Sequence, residues 1–439
     1  MRKIIMLINI KTVVLFAIIL LAYSCKPNDP VVPALKPVVT IQPVESVTTT
    51  SAIIVVLVVP NEDNTIVSAM YSLAASDNWT TVTSDSKYSG TEAKKVTLLL
   101  SSLQPNTKYD YKVTATNKAG SVTSTISSFA TSSYTKAIAV IKPVINLKIN
   151  SVTLVGMITA NQDASTVSFE FKPSANTDWQ SQSLTTAYSG SDSTQVSLDL
   201  SSLSANTSYD YRVKVVNKAG EVVSGVNSFK TYAVTDYDGN YYHTITIGTQ
   251  TWLQENLKTI HYANGDPIPH VTDPTAWDNL TTGAYCQYNN DPENGEVYGN
   301  LYNWYVGTDP RGLIIGWHTP TVYEFITLGN YLGGGIDTPK AGPMMMETGK
   351  AHWVNTSPYN PPTNSSGFTA LPNGAFAPYM DTNDWVYMNI GEIAGFWTTT
   401  SEGLISAQIV EISRDNCFLT IGNFYHKTIY CGLRLVKNG

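Results

Sequence analysis

The residues of this chain that could do chemistry lie beyond Asp236. Asp236-Tyr237-Asp238-Gly239-Asn240 opens like a calcium loop, in which alternate side-chain oxygens face a hard cation. Its glycine comes too early, and Ile247 stands where the distal glutamate belongs, so the segment reads as a turn. Asn289-Asn290-Asp291-Pro292-Glu293-Asn294-Gly295-Glu296 gathers three carboxylates and reads as a solvated acidic turn. His318, between Trp317 and Thr319-Pro320, has the chemistry of a general base. No Ser or Cys nucleophile motif accompanies it, and it reads as a packed, hydrogen-bonded core histidine. Glu392, Glu402, Asp381 and Asp384 could supply a glycosidase pair, yet nothing in their spacing selects two of them. The chain is not read as an enzyme, and neither cofactor nor metal is expected.

Composition narrows the partners. Of 439 residues only 14% are charged, and the net charge of −7 offers no basic patch for DNA or RNA. Ser and Thr fill the polar positions, as in secreted β-rich modules. All six histidines and seven of the nine tryptophans fall after Asp236, so the C-terminal part is a different material from what precedes it.

What precedes it is a duplication. Ser101-Ser102-Leu103, Asn106-Thr107, Tyr109-Asp110-Tyr111 and Asn117-Lys118-Ala119-Gly120 return one hundred residues later as Ser201-Ser202-Leu203, Asn206-Thr207, Tyr209-Asp210-Tyr211 and Asn217-Lys218-Ala219-Gly220. Trp79 matches Trp179, and Phe129 matches Phe229. Val96 to Leu100, Val196 to Leu200 and Val167 to Phe171 place apolar residues on alternate positions, the pattern of half-buried strands. Short strands between Asn/Gly/Ser/Pro turns predict a two-sheet sandwich for each copy. Leu103-x-Pro105-x-Thr107-x-Tyr109-x-Tyr111 resembles the fibronectin type III signature, and Leu203 to Tyr211 repeats it with Ala205 for the proline. The resemblance implies that Tyr109 and Tyr209 pack in the core and tie their hydroxyls to nearby backbone. Trp79 and Trp179 are expected to pack over a sheet edge. Neither repeat holds a histidine or a cysteine, and both read as spacers.

The N-terminus carries an address. Arg2, Lys3 and Lys11 precede the apolar run Val13 to Ala22 and then Tyr23-Ser24-Cys25. Leu21-Ala22-Tyr23-Ser24-Cys25 resembles the lipobox of bacterial lipoproteins, which implies cleavage before Cys25 and acylation of that residue. The expected organisation is a signal peptide at 1–24, a tether at 25–36, sandwiches at 37–133 and 137–232, and a head at 236–437. The lipid would hold the protein on the outer membrane, on the cell surface.

The head resembles the Fibrobacter succinogenes major paralogous domain. The matching blocks run in order, from Ile247-Gly248-Thr249-Gln250-Thr251-Trp252-Leu253-Gln254-Glu255-Asn256-Leu257 through Tyr298-Gly299-Asn300-Leu301-Tyr302-Asn303-Trp304-Tyr305 and Gly316-Trp317-His318-Thr319-Pro320-Thr321 to Gly432-Leu433-Arg434-Leu435-Val436. That resemblance implies an α+β fold similar to C-type lectins. Tyr323 to Leu332, after Pro320-Thr321 and before Gly333, reads independently as an amphipathic helix with a glycine stop. Gln408 to Ile412 and Gly432 to Val436 read as strands. Relatives carry two cysteines where this chain has Ile314-Ile315 and Leu435. Cys417 and Cys431 are left to form a different bridge or to stay free.

The calcium-lectin motifs are missing from the head, so any ligand would be taken by aromatic and polar side chains. Trp252, Trp304, Trp317 and Trp397 sit in blocks that define the family and are expected in the core. Trp385 and Tyr387, with Tyr379, Asn383 and Asp384, lie outside those blocks and are the expected binding surface, since sugar rings stack on aromatic faces. The functional expectation is adhesion to, or capture of, extracellular ligand, with glycan favoured. The alternatives are a fimbria-associated assembly module that binds protein and, less favoured, a carbohydrate-active enzyme.

Overall fold

Alternating apolar residues between turn-forming clusters leave the repeats little choice but antiparallel sheet. The computed structural model describes residues 33–277, 280–378 and 384–439, the side chains of 423 and 424 aside. The signal segment, Cys25, Tyr379 and Asn383 lie outside the described residues. The chain divides into two compact units, one ending at Lys136 and the other spanning Ala137–Gly439.

The first unit holds strands β1 (Val38–Ile41), β2 (Ala52–Val59), β3 (Ile66–Leu73), β4 (Thr80–Thr83), β5 (Lys94–Leu100), β6 (Lys108–Asn117), β7 (Gly120–Thr123) and β8 (Ser127–Ala130). β1, β2 and β5 form one sheet; β4, β3, β6 and β7 form the other, with β8 also on β6. Val96, Leu98 and Leu100 point inward and Thr97 and Leu99 outward, so the period of two is met. Tyr109 is buried, stacks on Phe129 at 5.6 Å, and accepts from the Gln104 backbone N–H at 2.8 Å. The expected corner is present. Asn61 and Asn117 donate to the carbonyls of Lys36 and Leu35, so the last residues of the expected tether are tied into the sandwich.

The second sandwich repeats the plan with β9 (Ile138–Ile145), β10 (Val152–Thr159), β11 (Thr166–Pro173), β12 (Gln180–Ser183), β13 (Thr194–Leu200), β14 (Ser208–Asn217), β15 (Gly220–Val223) and β16 (Asn227–Lys230). Tyr209 accepts from the Ser204 N–H at 3.0 Å and stacks on Phe229 at 5.4 Å. Ala205 for Pro105 changes nothing here: the carbonyl of either accepts from the threonine hydroxyl two residues on. Clean alternation breaks on β11, where Ser168 is buried and so is Glu170. Arg212 and Lys214 on β14 each bond its carboxylate at 2.7 Å. Met70 occupies the same place in the first repeat. Trp179 is half-buried against the Arg212 guanidinium, 4.2 Å from the ring centroid, and Trp79 lies likewise under Lys112.

The head is also mostly β. β17 (Val234–Thr235) pairs with β18 (Tyr241–Tyr242), and β19 (Thr244–Ile247) forms a hairpin with β20 (Gln250–Leu253). β21 (Tyr285–Cys286) pairs with β22 (Leu301–Tyr302), while β23 (Trp317–His318) and β20 flank the terminal β29 (Val436–Lys437). β24 (Asn373–Pro378) and β25 (Trp385–Ile390) make a ribbon. β26 (Ile393–Glu402), β27 (Ser406–Ser413) and β28 (Leu419–His426) make a three-stranded sheet. The expected helix is Val322–Tyr331, opened by a capping box between Thr321 and Glu324 and stopped before Gly333 at φ 81°.

Gly432 to Val436 is not a continuous strand. Leu433 and Leu435 accept from the backbone N–H groups of Leu257 and Leu253, and Arg434 between them is turned into the interior. Its guanidinium is fully buried and donates to Asn256 Oδ1 at 2.6 and 3.0 Å and to the carbonyls of Leu253 and Phe368. It also lies 4.6 Å from the Phe368 ring centroid. Burial pushes its pKa down to about 9. Of the two alternatives left open for Cys417 and Cys431, the bridge does not form. Cys417 packs in the cluster of Trp252, Phe325 and Phe396, and Cys431 in that of Tyr302, Trp397 and Leu433; both are buried free thiols, as is Cys286.

The second sandwich meets the head within one unit. Tyr232 stacks on Tyr241 and packs 4.3 Å from the His243 ring. His243 bonds Glu255 through Nδ1 at 2.6 Å and the Lys230 carbonyl through Nε2 at 3.0 Å. Lys230 Nζ reaches back to Gln254 Oε1 at 3.2 Å.

Candidate functional site

Strand alternation puts Trp385 and Tyr387 on one face of β25, and that face meets an aromatic cluster. Trp277, Phe376, Tyr430 and Cys286 are among its buried members, and Trp385 and Tyr387 pack against them half-buried. Trp385 stacks on Phe376 at 5.3 Å and meets Trp277 edge-on at 5.6 Å. Tyr387 lies 4.3 Å from Phe376 and 5.1 Å from Tyr288, and its hydroxyl donates to Asn290 Oδ1 at 2.8 Å. Burial, with the Cys286 thiol beside it, pushes the Tyr387 hydroxyl far above its ordinary value. Burial likewise raises the Cys286 thiol to about 12, which leaves it protonated and unreactive.

Trp385 is therefore half-buried against the cluster, with exposed Asp384 before it in the chain. Tyr387 is spent on packing and on its bond to Asn290. Of the expected binding surface, Trp385, Tyr387 and Asp384 fall among the described residues, the two rings half-buried and Asp384 exposed.

The acidic segments resolve into structural parts. Asp236 accepts from the Asn240 N–H, the Asn240 amide and the Tyr242 hydroxyl; Asp238 accepts from Thr259, the Ile260 N–H and His261. The turn reading holds. Asp291 caps a short helix, Pro292–Tyr298, by accepting from the Glu293 N–H, so the second acidic segment is a helix start. Glu296 on that helix pairs with Lys258 at 3.1 Å. Among the described residues no group of three His, Cys, Asp or Glu side chains is placed to hold a metal ion.

Two family-block aromatics pack at the rim of the core rather than within it. Trp252 and Trp397 are fully buried, but Trp304 and Trp317 are only half-buried. His318 is also at the surface, its side chain 39% exposed, bonded to Asn438 Oδ1 at 2.7 Å and Glu324 Oε1 at 2.8 Å. Trp317, His318, Asp309 and Leu313 line a cleft of about 370 Å³. A half-buried aromatic in a two-residue strand gives no sequence signal that separates it from core.

Among solved structures, the sensor domain of the anti-sigma factor RsgI4 from Pseudobacteroides cellulosolvens is similar at 21% identity over 23% of this chain and 100% of its own, with a TM-score of 0.19. A two-domain fibronectin type III segment of chicken tenascin matches at 12% identity over 44% of this chain and 96% of its own, with a TM-score of 0.20. The FN1–FN3 domains of chicken CNTN1 match at 17% identity over 45% and 68%, with a TM-score of 0.19. No curated protein matches the chain. In the head, residues 245–437 match the model of the Fibrobacter succinogenes major domain.

Proposed function

We propose that this is a lipid-anchored surface protein whose two sandwiches space a lectin-like head that captures extracellular glycan. The observation that carries the reading is Trp385. Its ring is held by Phe376 and Trp277 and is only half-buried, and exposed Asp384 precedes it in the chain. An aromatic ring held in place by its neighbours loses little freedom when a sugar stacks on it, and a carboxylate beside it accepts from sugar hydroxyls. The head's mixed strands, short helices and long connections suit a C-type-lectin-like arrangement. Attachment would rest on acylated Cys25; among the described residues no helix is long and apolar enough to cross a membrane.

A glycan array probed with the full chain tests the ligand class. Saturable binding to a related set of glycans supports the reading, and a blank array overturns it. Attachment is tested by Cys25→Ser, which should move the protein out of the outer-membrane fraction, since more than one acyl chain is needed for stable anchoring. Unchanged partitioning would contradict the anchor.

A further inference from the structure

The two sandwiches are copies, so each serves as a control for the other, and they part at one edge. In the second sandwich β12 is the edge of one sheet and β13 the edge of the other. A cleft of about 420 Å³ opens between them, within the range of small-molecule sites. Gln180 pairs with Phe171 and Gln182 with Phe169 across the strands, so both amides share the face that Phe169 buries in the core. In the first sandwich Thr80 and Val82 hold these positions, and Val82 packs against the core. Leu103 there is 4% exposed, whereas its copy Leu203 is only half-buried and lines the cleft. The edge that Val82 packs in one copy is lined by two amides in the other.

The lining decides what could enter. Neither glutamine side chain is bonded among the described residues, and each amide both donates and accepts. The hydroxyls of Ser201 and Ser202 do the same, while Phe171 and Leu203 give an apolar floor. No lysine, arginine or histidine lines the cleft, so an anion finds no counter-charge. Lys172 lies on the other face of β11, where it pairs with Asp210 at 3.1 Å. The one carboxylate, Asp199, already accepts from the Thr153 hydroxyl at 2.6 Å. Groups that both donate and accept, set beside an apolar floor, match a neutral sugar, whose hydroxyls do both and whose C–H faces are apolar. A peptide added as a strand would use the backbone of β12, and the first sandwich offers the same four-residue edge in β4. What separates the copies is the side chains that face the cleft, which favours a ligand read by side chains.

We infer that the second sandwich carries a binding cleft of its own between β12 and β13, taking a short neutral glycan. Gln180 and Gln182 supply the hydrogen bonds, and Phe171 and Leu203 the apolar contact. The cleft lies in a module otherwise read as a spacer, and it stands whether or not Trp385 in the head binds sugar.

The test is saturation-transfer NMR with cellobiose, maltose and lactose on the full chain carrying Trp385→Ala, so that the head's ring takes no part. Glucuronic acid is the charged control, and a capped octapeptide of alternating serine and threonine is the strand control. At least one disaccharide should bind saturably, and neither control should. Gln180→Thr with Gln182→Val gives the cleft the lining that folds in the first sandwich. Tm should therefore hold while disaccharide affinity falls about tenfold or more. Gln180→Ala, at an exposed position, should weaken binding about threefold. Silence from all three disaccharides, binding of either control as tight as the sugar, or affinity unchanged by both variants would overturn the cleft. The head is judged separately, by array binding of the wild type that Trp385→Ala removes.

Discussion

Arg434 and Asn256, 178 residues apart in the chain, meet through two hydrogen bonds in the interior of the head. Among the described residues no carboxylate bonds the guanidinium. Carbonyl oxygens of Leu253, Gln254, Phe368 and Thr369 take its remaining donors, so the charge is balanced by backbone dipoles. The contact joins the first hairpin of the head, the Phe368 loop and the C-terminal segment. Arg434→Met should cost about 3–5 kcal/mol, because it leaves several buried acceptors without a donor. Chemical unfolding of the full chain, followed by head tryptophan fluorescence, checks this. A loss below 1 kcal/mol would mean that the network relaxes onto water.

The tyrosine corners give a smaller, local test. Tyr209→Phe removes the acceptor of the Ser204 N–H while keeping the ring on Phe229. The expected loss is about 1–3 kcal/mol in the second unit, read by thermal unfolding. The same substitution at Tyr109 should act on the first unit instead.

How much of this was legible in the sequence follows from how local each signal is. The sandwiches were, because Val96-Thr97-Leu98-Leu99-Leu100 and its copy alternate, and a gapless duplication fixes every turn twice. The helix after Thr321 was, because its cap and stop are adjacent residues. Arg434 was not: its partners are mostly backbone carbonyls 65 to 181 residues away, and a carbonyl carries no residue-type signal. The inward turn of Tyr387 was half-legible. Period two pairs it with Trp385, but only the tertiary position of Phe376 decides which face of β25 is inside. For the same reason Cys417 and Cys431 were not separable in sequence, although the fold sends them to different core clusters.

Asp238 should make the head acid-sensitive. Burial alone would raise its pKa, but the Ile260 N–H, the Thr259 hydroxyl and His261 together lower it. A carboxyl with a depressed folded pKa stabilises above its unfolded value of about 3.9, and that stability is lost as pH falls through the folded value. Tm should therefore drop below about pH 4. Asp238→Asn should lower Tm at pH 7 and flatten that acid limb. An acid limb as steep in the variant as in the wild type would assign the transition to other groups.

The junction between the second sandwich and the head should behave as one cooperative piece. Tyr232, His243 and Lys230 span it. Calorimetry of the full chain should show the second sandwich and the head melting together, and Tyr232→Ala combined with His243→Ala should split that transition into two. Two separate transitions already present in the wild type would contradict the coupling.

The most direct measurement of the account is glycan-array binding by the full chain beside its Trp385→Ala variant, with Tm recorded for both. Trp385 is half-buried, so the substitution should cost about 1–2 kcal/mol, short of the 3–5 typical of a fully buried aromatic. The account predicts saturable glycan binding by the wild type and at least a tenfold loss in the folded variant. A blank array, or a folded Trp385→Ala chain that binds as tightly as the wild type, would contradict it.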